Sequence, residues 1–335
     1  MTTPPIQPKE RLDSVQLLRA VAAVAVVLFH IPLFGNGAWG VDLFFVISGF
    51  IMCYVTEDSG RRFLTKRIIR IVPLYWAGTI GVFCVALALP RLVSNTSTSA
   101  VDLVKSLFFI PFQKGAEVEP VLFLGWTLNY EFFFYVLFAL SMAVNHRFRA
   151  IIASGLILVI VATRYRFPFE SVPYKFLGDQ ILLEFVFGML CYAIFKRTAS
   201  CRAQPRSVAS RILWTVAGGA WVACMPVVSA LGPLQDRVIE LGIPATLAFC
   251  CTVHGLGGVR LPRPLVLIGD ASYSLYLFHP YVIQSFAKVF HAFSGAGVRA
   301  YFMAGVAVAL CCGLAVASYQ YLEKPVTEYL RKRFV

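Results

Sequence analysis

The sequence predicts an all-α fold: a polytopic integral membrane helix bundle of about ten transmembrane helices. Three observations predict it. Of 335 residues, 59% are hydrophobic and only 14% charged, against about 45–50% and about 25% in soluble domains; the mean hydropathy is +0.74. The apolar residues gather into ten runs that cross, or nearly cross, a bilayer. The basic residues cluster in the short stretches between those runs. The formal charge of +13 therefore reads as a set of topology signals, and nucleic acid is not an expected partner.

The polar, proline-rich residues 1–11 read as a flexible cytoplasmic tail. The apolar runs cover approximately 12–34, 41–58, 68–90, 122–144, 150–164, 180–196, 212–231, 237–256, 265–289 and 299–322. No small-residue cleavage signature follows the first, which is expected to remain as a span and not to be removed as a signal peptide. The fifth and sixth are short for a full crossing. "VDLVKSLFFIPF", in the 91–121 connection, is too short to span and reads as re-entrant or interfacial. With no internal repeat and no soluble segment, 1–335 reads as a single transmembrane domain. Ten spans place both termini on one side, and more than two thirds of the 30 lysines and arginines fall there. That side is expected to be cytoplasmic. The nine cysteines lack zinc-type spacing and read as small buried apolar side chains, so no metal is expected.

An ionisable group inside a span costs several kcal/mol unless it is paired or hydrated, so each one needs a reason. Arg19 and His30 are 11 residues apart in the first run. At about 100° per residue they share a helix face, roughly 16 Å apart along the axis. Asp42 opens the second run, after the glycine-punctuated "FGNGAWG", and is expected at the depth of His30. There a carboxylate would fix the imidazole tautomer and raise its basicity; a first-turn acid at the helix dipole is the compatible plainer role. Glu131, in "GWTLNYEFFFYVLF", has no lysine or arginine within ten residues on either side. It suits proton transfer, the holding of a hydroxyl, or a structural acceptor role between helices. His279 lies near the outer end of the ninth run, "GDASYSLYLFHPYVI", with Asp270, Ser272 and Ser274 lower down. Neither Ser48 nor Ser272 sits in a G-x-S-x-G elbow, which weighs against a serine hydrolase.

"FLTKRIIRIVPLYW" places Lys66, Arg67 and Arg70 before the third span, behind Arg61 and Arg62. Arg67 and Arg70 are three apart and share a helix face. The cluster is either a positive-inside anchor or a grip for phosphates, which arginine holds bidentately; the residues alone leave both open.

With these pieces the chain resembles the membrane-bound acyltransferase family 3, the O-acyltransferases of bacterial surface polysaccharides. The resemblance is carried by "LDSVQLLRAVAAVAVVLFH", with Arg19 and His30 as its Arg-x10-His motif, "GVDLFFVISGFIM", "KRIIRIVPLYW", "WTLNYEFFFY", "SYSLYLFHPYVI" and "YLEKP". It spans nearly the whole chain. Thr127 stands where many relatives have a serine, and the hydroxyl survives. The length most resembles members that acetylate exopolysaccharide repeat units.

The resemblance implies a multi-pass protein of the bacterial cytoplasmic (inner) membrane that takes acetyl-CoA, or another acyl-CoA, as cosubstrate from the cytoplasm. It implies a sugar hydroxyl as acceptor, on a polysaccharide or a lipid-linked oligosaccharide. Arg67 and Arg70, with Lys66 and Arg19, would hold the phosphates of coenzyme A. Its arm would thread a narrow channel towards His30. His30, oriented by Asp42, would act as general base, or as nucleophile if an acyl-enzyme forms. Glu131 and His279 would hold the sugar or relay the proton. Trp39, Trp126 and Tyr130 fit an aromatic belt better than a sugar platform. The alternatives from other classes are a transporter of an acyl or glycan substrate and a non-enzymatic scaffold for polysaccharide assembly; no repeated, broken spans favour transport.

Overall fold

The computed structural model describes residues 12–91, 96–115, 117–167, 169–198, 207–231, 236–293 and 297–335. The expected tail 1–11 lies outside the described residues. Those residues form helices and turns, with no β-strand among them. In chain order the helices are α1 (Asp13–Phe29), α2 (Gly40–Val55), α3 (Phe63–Ala88), α4 (Ala100–Leu107), α5 (Trp126–Val144), α6 (Arg149–Arg166), α7 (Val172–Leu177) and α8 (Leu183–Arg197). They continue as α9 (Val208–Ala230), α10 (Ile243–Gly255), α11 (Arg263–Asp270), α12 (Ser272–Phe290), α13 (Val298–Ser318) and α14 (Lys324–Phe334).

Each of the ten apolar runs falls on helix, but not as ten uniform spans. Six stretches are long and apolar enough to cross a membrane: Phe63–Ala88, Phe123–Val144, Val172–Arg197, Val208–Ala230, Val238–Gly255 and Val298–Phe334. α1 and α2 are shorter, at 17 and 16 residues, and α6 carries arginines at both ends. The ninth run is not one helix: it breaks at Ala271 into α11 and α12. The last run does not stop near 322. A π-helical turn, Tyr319–Glu323, carries it into α14, whose end returns to α3, where Arg62 donates to the carbonyl oxygens of Phe334 and Val335.

Large apolar side chains crowd the outside of the peripheral helices, such as Ile151 on α6, Val216 on α9 and Phe302 on α13. A water-soluble surface would not carry them at this density, and the chain is a multi-pass membrane protein. Inside, small residues bring the backbones together where lipid offers little hydrophobic drive. At the α2–α8 crossing, a Cβ on Gly49 would sit 2.1 Å from the Phe185 carbonyl oxygen, and one on Gly188 2.1 Å from that of Val46. α1 runs through the middle of the bundle. One face of it joins a core with α2, α3, α5, α8 and α10, and the other joins a smaller core with α12 and α13. α1 thereby packs against α2, α10, α11, α12 and α13.

Candidate active site

A tightened helix end in α1 and a proline inside α12 build the histidine half of the site. The last turn of α1 tightens, so that the His30 amide donates to Val27 O at 3.1 Å. The Val26 carbonyl, left without that amide, lies 2.9 Å from His30 Nδ1. On α12 the residue after His279 is Pro280, which has no N–H for the carbonyl four residues back. That carbonyl belongs to Tyr276, and His279 Nδ1 lies 2.9 Å from it and 3.0 Å from Leu275 O. A buried carbonyl needs a donor, and in both places a histidine supplies it.

The partners assign the tautomers. Carbonyl oxygens only accept, so both Nδ1 atoms carry hydrogen. His279 Nε2 of the neutral ring is then an acceptor, and it lies 3.1 Å from His30 Nδ1. The His30 Nδ1–H is thus shared between Val26 O and His279 Nε2. His30 Nε2 carries no proton and has no hydrogen-bond partner among the described residues. His279 is buried and His30 half-buried, with the rings at 4.8 Å and Phe29 and Phe123 beside His30 at 5.2 and 5.9 Å. The His30 ring thus packs between His279, Phe29 and Phe123.

The inner half is a cavity of about 770 Å³, open mouth included. Arg19, Arg67 and Arg70 line it with Glu131, and Ser48, Thr127 and Tyr276 are among its hydroxyl groups. Arg19 is held by Ser272 Oγ, 3.1 Å from Nε and 2.9 Å from Nη2, at the start of α12 just after the break at Ala271. Glu131 accepts from Ser48 Oγ at 3.1 Å and from the Tyr135 hydroxyl. Arg67 Nε is buried with no hydrogen-bond partner, a donor that an anion entering the cavity would satisfy. Three guanidinium groups and apolar side chains of Val41, Phe44 and Leu128 line the same cavity.

Of the expected site residues, the structure gathers Arg19, Arg67, Arg70 and Glu131 in one cavity and joins His30 to His279. It separates two others. Lys66 is exposed and does not line the cavity, because it sits in the first turn of α3 at the flank of the arginine stripe. Asp42 is not the partner of His30. It is wholly buried, and Arg237 grips both of its oxygens, Nε to Oδ1 2.9 Å and Nη2 to Oδ2 2.7 Å. A carboxylate removed from water needs a cation, and the one in reach precedes the π-helical turn Val238–Gly242. Along α12 the residues that line the cavity run from Ser272 to Tyr276, and His30 and His279 are not among them. Trp39 is buried and donates to Asn36 O at 3.1 Å, and Tyr130 stacks on Phe176 at 4.1 Å; both are core residues. Sequence reading passed over Arg237 and Glu184. Glu184 is wholly buried near Asp42 and Arg237. The criterion that picked out Glu131, a carboxylate inside an apolar run, applies to it equally.

The described residues thus form a helical membrane bundle that holds an arginine-lined cavity and a histidine pair. The family described as the acyltransferase domain matches residues 12–318, and the chain belongs to that family. Among its relatives, the Exopolysaccharide production protein ExoZ of Rhizobium meliloti (strain 1021) is 34% identical over 308 residues, covering 90% of this chain and 93% of that protein. The Putative peptidoglycan O-acetyltransferase YrhL of Bacillus subtilis (strain 168) is 24% identical, and the O-acetyltransferase OatA of Staphylococcus aureus (strain NCTC 8325 / PS 47) 25%. These alignments cover 92% and 95% of the chain but 54% and 57% of the relatives, so the chain spans about half the length of those two. No solved structure matches it.

Proposed function

We propose that the protein transfers an acetyl group from cytoplasmic acetyl-CoA to a hydroxyl of an exopolysaccharide or surface polysaccharide sugar, carried on a lipid-linked intermediate. The observation that carries this reading is the placing of two features on one helix, α1. Arg19 opens into the cationic cavity at one end, and His30, with an unprotonated and unpartnered Nε2, stands at the other.

On this reading Arg19, Arg67 and Arg70 hold the coenzyme A phosphates. The arm lies along the apolar walls, with its thioester at the inner end. His30 Nε2 removes the proton of the acceptor hydroxyl, whose oxygen bonds to the thioester carbonyl carbon. The carbon–sulfur bond breaks, and the thiolate leaves with the proton that His30 had taken. His279 keeps His30 in the tautomer that leaves Nε2 free and shares the positive charge of the imidazolium. Glu131, which accepts from Ser48 and Tyr135 beside the arginines in the cavity, holds the sugar or relays the proton. Residues 1–335 act as one transmembrane domain in the bacterial inner membrane, with ten crossings and both termini in the cytoplasm. The basic clusters between apolar runs support that orientation. The 34% identity to an exopolysaccharide production protein supports the acceptor class.

The test is purified protein supplied with acetyl-CoA labelled in the acetyl group and with polysaccharide from a strain that lacks this protein. Label is expected in the glycan and alkali-labile, as an O-ester is. Label that stays on coenzyme A or appears only as free acetate would defeat the reading.

A further inference from the structure

The cavity ends on two hydroxyls that the reaction above leaves unused. Tyr276 Oη and Thr127 Oγ1 are 2.8 Å apart across its floor. Both lie near one carbonyl, Leu124 O, at 3.3 and 3.1 Å. That oxygen takes one of the two hydroxyl protons, and the other is shared between the hydroxyl oxygens. Both residues are buried. The Tyr276 ring stands between Phe44, at 6.0 Å, and His279, at 6.3 Å. Tyr276 and Thr127 line the cavity, and His30 and His279 do not.

The rung has two properties. It includes the residue of α12 lining the cavity that is nearest in sequence to His279, and it holds one proton whose bond can be redirected without disturbing the bond to Leu124 O. In an apolar, water-poor end of a cavity, only a ligand acceptor can replace the mutual hydroxyl bond without a penalty. The length fits as well: roughly 16 Å separate Arg19 from His30 along α1, and the rung lies one helical turn short of the histidines. An arm anchored by its phosphates at the arginines reaches this rung with its terminal group.

We infer that the Tyr276–Thr127 hydroxyl pair binds the thioester carbonyl oxygen of the acyl donor, donating to it the one proton that the two hydroxyls share. The inference rests on the donor reading above. In the transfer step the carbonyl electron pair moves onto that oxygen as the acceptor hydroxyl adds, and it returns as the carbon–sulfur bond breaks. The hydroxyl donor holds the charge in the interval.

The experiment uses the full-length protein with Tyr276→Phe and Thr127→Val, each a near-isosteric loss of one hydroxyl, and Thr127→Ser as the conservative variant. Two quantities are read: affinity for coenzyme A itself, which has no thioester, and kcat for acetyl transfer. Tyr276→Phe is expected to lower kcat by about ten- to a hundredfold, Thr127→Val by less. Coenzyme A affinity should stay within about twofold of wild type, and Thr127→Ser should keep its rate. Unchanged kcat in Tyr276→Phe overturns the inference, as does a coenzyme A affinity that falls in step with kcat. If Tyr276→Phe does not fold, the same split in Thr127→Val decides. Wild-type protein that transfers no acetyl group defeats the donor reading and this inference with it, whereas wild-type transfer matched by Tyr276→Phe defeats the inference alone.

Discussion

His279 Nε2 lies 3.1 Å from His30 Nδ1, and each ring is pinned on its Nδ1 side by a backbone carbonyl. The pair is a relay with a defined direction: donors on both Nδ1 atoms, an acceptor on His279 Nε2, and a lone pair left at the His30 Nε2 end. His30→Ala is expected to reduce acetyl transfer to background while coenzyme A binding persists. His279→Ala removes only the partner and should cost about a hundredfold in kcat at unchanged KM for acetyl-CoA. Full turnover by His30→Ala would take the imidazole out of the chemistry.

Pro280 sets that tautomer indirectly. Pro280→Ala restores an amide N–H that competes with His279 Nδ1 for the Tyr276 carbonyl. The helix is expected to gain stability, and the thermal midpoint in detergent should not fall, while kcat falls by about tenfold. A variant equally stable and equally fast would show that the proline serves only to bend α12.

The cationic mouth separates by position. Arg67→Ala combined with Arg70→Ala should raise the apparent Kd for coenzyme A by about tenfold or more, since bonds to ionised groups contribute about 1.5–3 kcal/mol each. Lys66→Ala, at an exposed site outside the cavity, should leave it unchanged. Calorimetric titration with coenzyme A and with its dephospho form checks both, and equal losses in the two sets of variants would return the arginines to the role of membrane anchors.

Asp42 and Arg237 form a structural clamp between α2 and the π-helical turn before α10. Arg237→Met leaves the wholly buried carboxylate without its cation and is expected to cost about 3–5 kcal/mol. The double variant Asp42→Asn with Arg237→Met should recover part of that loss, because no bare charge remains. Yield of monodisperse protein and the thermal midpoint read the effect. A single variant as stable as wild type would mean that another group compensates Asp42.

Membrane residence, helical class and the main chemical groups were legible in the residues themselves. Period and spacing are local properties, and the 11-residue interval from Arg19 to His30 places both on one face of α1 whatever surrounds them. The price of a charge in lipid flagged Glu131 and Asp42 without any neighbour being known. Pairing was not legible. Asp42 and Arg237 are 195 positions apart and His30 and His279 are 249 apart, so nothing local chooses between Asp42 and His279 as the partner of His30. The break at Ala271 and the pairing of Thr127 with Tyr276 also depend on how distant helices pack. Sequence by itself determined that these side chains lie in a membrane bundle and on which helix faces, because burial cost and helical period act within one segment. Only the tertiary structure decided which of them meet, because a hydrogen bond or ion pair is fixed within a few tenths of an ångström by how whole helices pack.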